Sequence, residues 1–225
     1  MEDIPRPERP LRIAIGGMIG AGKTTLAELL CQKLSAVYIR EPTEEDILVK
    51  FYGSPGDFAF LNQIAFLKNR FKAQLEKREE EKTAKIIIRD RTFEEDLIFT
   101  VLMWEMGIIS DQEMRIYGEF HSLLRLVSEP PDLYVILKCD IPVAMNRISQ
   151  RCSRNPTARS LSEVVSITAG YLSALDEKYD RFSIHGKDRP KSLEKTTFLV
   201  LNSTGKTPEE LADNVVSLKA FFGDK

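Results

Sequence analysis

Gly17-Met18-Ile19-Gly20-Ala21-Gly22-Lys23-Thr24 decides how the chain reads. The run satisfies G-x-x-x-x-G-K-[ST]. Before it, Leu11–Gly17 reads as a strand entering a glycine-rich turn. After it, Lys23–Leu34 places Leu26, Leu29, Leu30 and Leu34 on one helical face. Strand, glycine turn and helix form the context in which this pattern holds a phosphate. Glycines let successive backbone N–H groups approach an anion at a helix N-terminus. Lys23 supplies a point charge to the β- and γ-phosphates, and the Thr24 hydroxyl suits Mg²⁺. Thr25, in the first helical turn, supports the same phosphates. The alternative is a glycine turn without a ligand, and the Lys-Thr pair after a strand argues against it. The pattern gives nucleotide binding but not the reaction, because ATPases, GTPases and small-molecule kinases share it.

Outward from this loop, apolar runs alternate with amphipathic ones. Ala36–Ile39, Lys85–Arg89, Leu133–Lys138 and Phe198–Leu201 read as further strands. Helical spacing predicts helices over Asp57–Glu81, Phe93–Met106, Asp111–Ser128, Val143–Cys152, Leu161–Phe182 and Pro208–Phe222. This alternation indicates βαβ units: an α/β fold, with a five-stranded parallel sheet and helices on both faces. The 225 residues suffice for one domain spanning 1–225. Met1–Pro10, with three prolines and five charges, reads as a flexible lead-in rather than a signal peptide.

Composition excludes several classes. Hydrophobic residues at 43% argue against wholesale disorder, and a net charge of -2 gives no global field for nucleic acid or anionic lipid. No apolar run is long enough to span a bilayer. Cys31, Cys139 and Cys152 are too few and scattered for a disulfide framework or zinc site, and read as reduced cytosolic thiols. His121 and His185 lack metal-ligand neighbours.

Ligands of open α/β sheets bind at the carboxyl ends of the strands. The second strand ends Ile39-Arg40-Glu41-Pro42 and the third Ile88-Arg89-Asp90-Arg91-Thr92. Transfer to a hydroxyl needs a carboxylate that orients it, an acidic group for the metal, and cations over the migrating phosphoryl group. Glu41, Asp90 and Arg91 are of those types at the rim shared with the phosphate loop.

With these residues in place, the chain resembles the deoxynucleoside kinase family over nearly its whole length. The phosphate loop, Glu41-Pro42, Asp90-Arg91-Thr92 and an arginine-rich segment before the last helices carry the resemblance. It implies a P-loop kinase fold with an arginine-rich lid at about residues 151–163. It also implies ATP or another NTP as phosphate donor with Mg²⁺, a deoxynucleoside acceptor, and a cytoplasmic homodimer. Glu41 is then the general base and Asp90 helps hold Mg²⁺, while Arg91 orients the base and the phosphate end of the substrate. Lys23 completes the catalytic set.

The same resemblance assigns the acceptor pocket. Tyr52 corresponds to the tyrosine that meets the sugar 3′-hydroxyl, and Gln63, eleven residues on, to the glutamine that reads the base. Arg70 and Asp96 correspond to a pair that binds the base edge in the subgroups acting on deoxyadenosine, deoxyguanosine and deoxycytidine, and a purine deoxynucleoside is favoured. Arg147-Ile-Ser-Gln-Arg151-Cys-Ser-Arg154 resembles the lid, which implies ATP contacts from Arg147, Arg151 and Arg154. The stretch from there to Tyr171-Leu172 is longer than in the family. Glu163 is its only acidic residue, and takes the place of the sugar-contacting glutamate. Asn62 and Thr100 stand where the family often has aromatics, which leaves Phe66, one turn after Gln63, either to stack on the base or to serve as core.

Two rivals share parts of this pattern. A thymidylate kinase would carry Gly-Gly-Thr after Glu-Pro, where this chain has Thr43-Glu44-Glu45. A nucleotide-switched regulator would not need Glu41, Asp90 and Arg91 together.

Overall fold

The computed structural model describes residues 9–42, 44–218 and 221. Strands β1 (Leu11–Gly17), β2 (Val37–Ile39), β3 (Ile86–Asp90), β4 (Leu133–Lys138) and β5 (Thr197–Asn202) form one sheet in the order β2-β3-β1-β4-β5. Every pairing is parallel, with Ile15 opposite Asp90 on one side and Val135 on the other. The expected five-stranded parallel sheet is present. Apolar runs such as Leu133–Leu137 are buried on both sides, as a helix-covered parallel sheet requires.

The helices are α1 (Lys23–Leu34), α2 (Glu45–Gly53), α3 (Pro55–Glu76), α4 (Arg78–Glu81), α5 (Phe93–Glu105), α6 (Asp111–Arg125), α7 (Ile141–Arg154), α8 (Ala158–Ser166), α9 (Ala169–Ser183) and α10 (Pro208–Val216). On the sheet, α1 packs with α10 and α5 with α9. β1 lies between β3 and β4, so successive connections leave it in opposite directions. The crevice at its carboxyl end is where such sheets bind ligands.

Three helix expectations are corrected. Glu45–Gly53 is helical although the sequence reading left it out; Leu48, Phe51 and Tyr52 occupy one face of it, and Leu48 and Phe51 are buried. The stretch Asp57–Glu81 is not one helix, because it starts earlier, at Pro55, and turns at Lys77. Leu161–Phe182 is two helices. Ile167 is extended there, and the Thr168 hydroxyl accepts from the Tyr171 N–H to cap α9. The segment 151–163, where the resemblance puts an arginine-rich lid, is the end of α7, a short turn and most of α8. Most of the lead-in (residues 1–8) and residues 219, 220 and 222 of the last expected helix lie outside the described residues.

Candidate active site

β1 ends in the glycine turn. Gly17 (φ 132°) approaches the β4 backbone so closely that a Cβ would collide with the Leu137 carbonyl. Gly22 (φ 97°) takes the left-handed conformation at the N-cap of α1, a place that favours glycine. No side chain caps α1, and its first turn holds no acidic residue, so its N–H groups and positive dipole end suit an anion. Lys23 is buried, and its ammonium donates to the Met18 carbonyl at 3.0 Å.

A cavity of about 790 Å³ opens on this loop. Ile19 through Thr25 line it, as do Glu41, Tyr52, Gln63, Arg70, Asp90, Arg91, Asp96, Arg147, Arg151, Arg154 and Glu163. Of the residues expected at the site, Gly17 and Met18 alone do not reach the wall. On the phosphate-loop side the lining extends to Ser203, Lys206, Pro208 and Leu211, which the sequence reading missed.

At the centre, Glu41 Oε1 accepts from Arg70 at 2.6 Å and faces Arg91 Nε at 3.0 Å. Burial alone would raise the Glu41 carboxyl. Arg91, then Arg70 and Lys23, outweigh burial and hold it down at about 2. Arg91 sits at φ 70°, with its N–H on the Ile15 carbonyl (2.9 Å) and its guanidinium 4.8 Å from the Phe99 ring centroid. Arg70 and Asp96 form a buried ion pair rather than a surface one, and the Phe66 ring lies 5.2 Å from the Arg70 guanidinium. Gln63 is also buried; its amide oxygen faces the Thr100 hydroxyl at 3.3 Å and its amide nitrogen the Met103 sulfur at 3.5 Å.

The Thr24 hydroxyl donates to Asp90 Oδ2 at 2.7 Å, bringing the two expected metal residues together. Asp90 Oδ1 is buried without a hydrogen-bond partner. Burial, only partly offset by Lys23, raises the Asp90 carboxyl above its ordinary range. A hydroxyl beside an orphaned carboxylate oxygen fits Mg²⁺, which needs one or two carboxylates when phosphates complete its shell.

The lid arginines separate into roles. Arg147 donates to the Gly20 and Ala21 carbonyls (3.3 and 3.2 Å) and to Ser203, so it braces the phosphate loop. Arg151 and Arg159 both pair with buried Glu163. Arg154 is exposed and makes no side-chain hydrogen bond or ion pair among the described residues. Burial, with the Glu163 charge, pushes the Tyr52 hydroxyl above its ordinary value, and the two expected sugar contacts line the same cavity.

Lys23 carries a pH signature. Burial, reinforced by Arg91 and opposed by Asp90, Glu95 and Glu41, lowers its ammonium from 10.5 to about 8. Arriving phosphates favour the charged form. Nucleotide binding at pH 8 is therefore expected to take up about half a proton. Calorimetric heats in Tris and HEPES should then differ, and Lys23→Arg should remove the difference. Equal heats with the unaltered protein would contradict this.

Phosphate loop, parallel sheet and adjoining acceptor chamber define a P-loop kinase fold. The deoxynucleoside kinase family model matches residues 13–218, and the chain belongs to that family. A deoxyadenosine kinase of Dictyostelium discoideum is 33% identical over 171 residues, 76% of this chain and 65% of that protein. A deoxyguanosine kinase of Bacillus subtilis is 32% identical over 142 residues, 62% of this chain and 66% of that one. The matched stretches thus span just under two thirds of these relatives. A solved deoxyadenosine kinase from M. mycoides, with products dCMP and a flexible dCDP bound, superposes with a TM-score of 0.74 at 25% identity, covering 92% of this chain and 97% of that one.

Proposed function

We propose that the protein, as a single domain, moves the γ-phosphoryl group of ATP or another nucleoside triphosphate onto the 5′-hydroxyl of a deoxynucleoside, with a purine favoured, in nucleotide salvage. The observation that carries this reading is one cavity joining the phosphate loop to a chamber where Gln63, Arg70 and Asp96 stand beside Glu41. Gln63 and the Arg70–Asp96 pair offer donors and acceptors to a base edge. Glu41 Oε1 is held by two arginines, and Oε2 is left to accept from the 5′-hydroxyl.

Thr24 and Asp90 would hold Mg²⁺, which supplies charge neutralisation on the phosphates when bound. Lys23 and the α1 N-terminus hold the phosphates, and Glu41 aligns the hydroxyl. Arg154, together with Arg151 and Arg159 once they leave Glu163, would clamp the transferred group as the lid at about 151–163 closes and excludes water. Tyr52 and Glu163 would take the sugar 3′-hydroxyl.

Phosphorylation with ATP and Mg²⁺, offering deoxyadenosine, deoxyguanosine, deoxycytidine, thymidine and dTMP in parallel, tests the reading. Turnover of one of the first three supports it. Turnover of dTMP alone would make the protein a thymidylate kinase, and none at all would favour a nucleotide-switched regulator.

No helix among the described residues is long and apolar enough to cross a membrane. A cytoplasmic homodimer fits this reading. Phe120 and Leu123 expose apolar surface on α6, Val127 does so just past its end, and Leu61 and Leu75 do so on α3, which packs beside it. Sedimentation of Phe120→Asp as a monomer would support that interface; an unchanged dimer would remove it.

A further inference from the structure

Glu95 lies in the first turn of α5, inside the run Glu94-Glu95-Asp96, where acidic residues commonly complement the helix dipole. Its surroundings are not those of a surface decoration. The side chain has no solvent exposure, and four donors converge on its carboxylate. Oε1 accepts from the Gly17 N–H at 3.0 Å, from Arg91 and from the Tyr179 hydroxyl. Oε2 accepts from the Tyr134 hydroxyl at 2.9 Å. In all four contacts the carboxylate oxygens stand as acceptors.

These donors come from separate parts of the site. Gly17 begins the phosphate loop, and Gly16 passes so near that a Cβ there would lie 2.7 Å from Glu95 Oε2. Arg91 faces Glu41 through Nε and Glu95 through a terminal nitrogen, so one guanidinium spans the two carboxylates. Tyr179 belongs to α9, the helix that follows the lid, and also accepts from Arg91 at 2.8 Å. Glu95 thus closes a ring of hydrogen bonds around the Arg91 guanidinium.

We propose that Glu95 is a positioning residue that fixes the Arg91 guanidinium against Glu41 and ties both to the entry of the phosphate loop. It touches no substrate and acts through Arg91. Glu95→Gln keeps the size but replaces one acceptor oxygen by an amide N–H₂, so a donor loses its acceptor or a tyrosine hydroxyl must turn to accept, and the carboxylate's charge is gone. Its kinetic consequence rests on the nucleoside-kinase reading; its structural consequence does not.

The test combines a substrate-free signal with a double-mutant cycle. In ¹⁵N spectra of the full chain, the Arg91 Nε–H signal, assigned by its loss in Arg91→Lys, is expected far from exposed arginines and displaced in Glu95→Gln. Per folded molecule, Glu95→Gln should lower kcat about 100-fold, the scale of an ångström-sized misplacement. The nucleoside KM should stay within about threefold. In the Arg91→Lys background the same substitution should cost no more than about threefold, because the partner it acts through is gone. An unmoved Arg91 signal, an unchanged kcat or fully additive losses would each overturn the assignment. If Glu95→Gln fails to fold, Tyr179→Phe removes one donor without touching the charge and should displace the same signal; an unmoved signal there overturns it equally. Absence of nucleoside turnover by the unaltered protein would sink the kinase reading and leave the Arg91 signal to judge Glu95.

Discussion

Glu41→Gln is expected to lower kcat by about 10²–10⁴, the usual range for loss of a positioned acid–base group, with nucleotide binding retained. The carboxyl is held at about 2, so it is a weak proton acceptor at neutral pH. That suits phosphoryl transfer, whose loose transition state asks for little proton removal before the P–O bond to the donor has largely broken. On the proposed reading, the side chain's task is to accept a hydrogen bond from the 5′-hydroxyl and aim its lone pair in line. A glutamine can offer either an oxygen or an N–H₂ there, and Arg70 and Arg91 compete for the oxygen. The sign of the pH effect follows. The active form is the carboxylate, present above its pKa, so Glu41 contributes no acid limb to the rate profile above about pH 4. Steady-state rates of both proteins from pH 5 to 9 check this. Unchanged turnover in Glu41→Gln would remove Glu41 from the mechanism, and an acid limb near pH 6 that vanishes with the substitution would contradict the low carboxyl.

What could be read from the sequence follows how local each signal is. The phosphate loop was legible because its chemistry requires glycines, Lys23 and Thr24 at fixed spacing within eight residues. Glu41, Asp90 and Arg91 were legible because parallel strands bring their carboxyl ends to one rim. Arg70 and Asp96 came from resemblance, and their burial could not have been inferred from spacing alone. Helix α2 was missed although Leu48, Phe51 and Tyr52 already marked its face; its acidic start Glu44-Glu45-Asp46 disguised it as loop. The break between α8 and α9 lacks glycine and proline, and apolar periodicity runs through it, so only the Thr168 cap announces it. Glu95 was illegible for a different reason. Nothing in a first-turn acidic run tells that its carboxylates are buried or which of them gathers the donors, and the four partners of Glu95 come from β1, the β3–α5 turn, β4 and α9. Arg147 likewise belongs by sequence to the lid, but contacts from two distant segments fix it under the phosphate loop.

Arg70→Met should damage stability and base choice together, and the two effects are separable. Arg70 bridges Asp96 and Glu41, and both Arg70 and Asp96 are buried. Removing the cation leaves Asp96 as an uncompensated buried charge, a loss of about 3–5 kcal/mol. Glu41 loses the second of its three cations, so its carboxyl should rise from about 2. Adding Asp96→Leu removes the stranded charge. Buried ion pairs exchanged for apolar residues of similar volume are often neutral or better. The double variant is therefore expected to regain most of the denaturation midpoint lost by Arg70→Met. It should not regain the proposed purine turnover, because the groups proposed to face the base edge are gone. A site built to hydrogen-bond its substrate loses about 10⁴-fold or less when those bonds are unmade, so kcat/KM for the preferred purine deoxynucleoside should fall far more than that for thymidine. Denaturation curves and parallel rates with the two nucleosides measure both quantities on the same samples. A stable double variant with unaltered base preference would leave Arg70 and Asp96 as a structural pair and move base reading to Gln63 and its neighbours. Loss of stability in Arg70→Met that Asp96→Leu does not relieve would mean that the Glu41 contact, rather than the buried pair, holds this part of the molecule together.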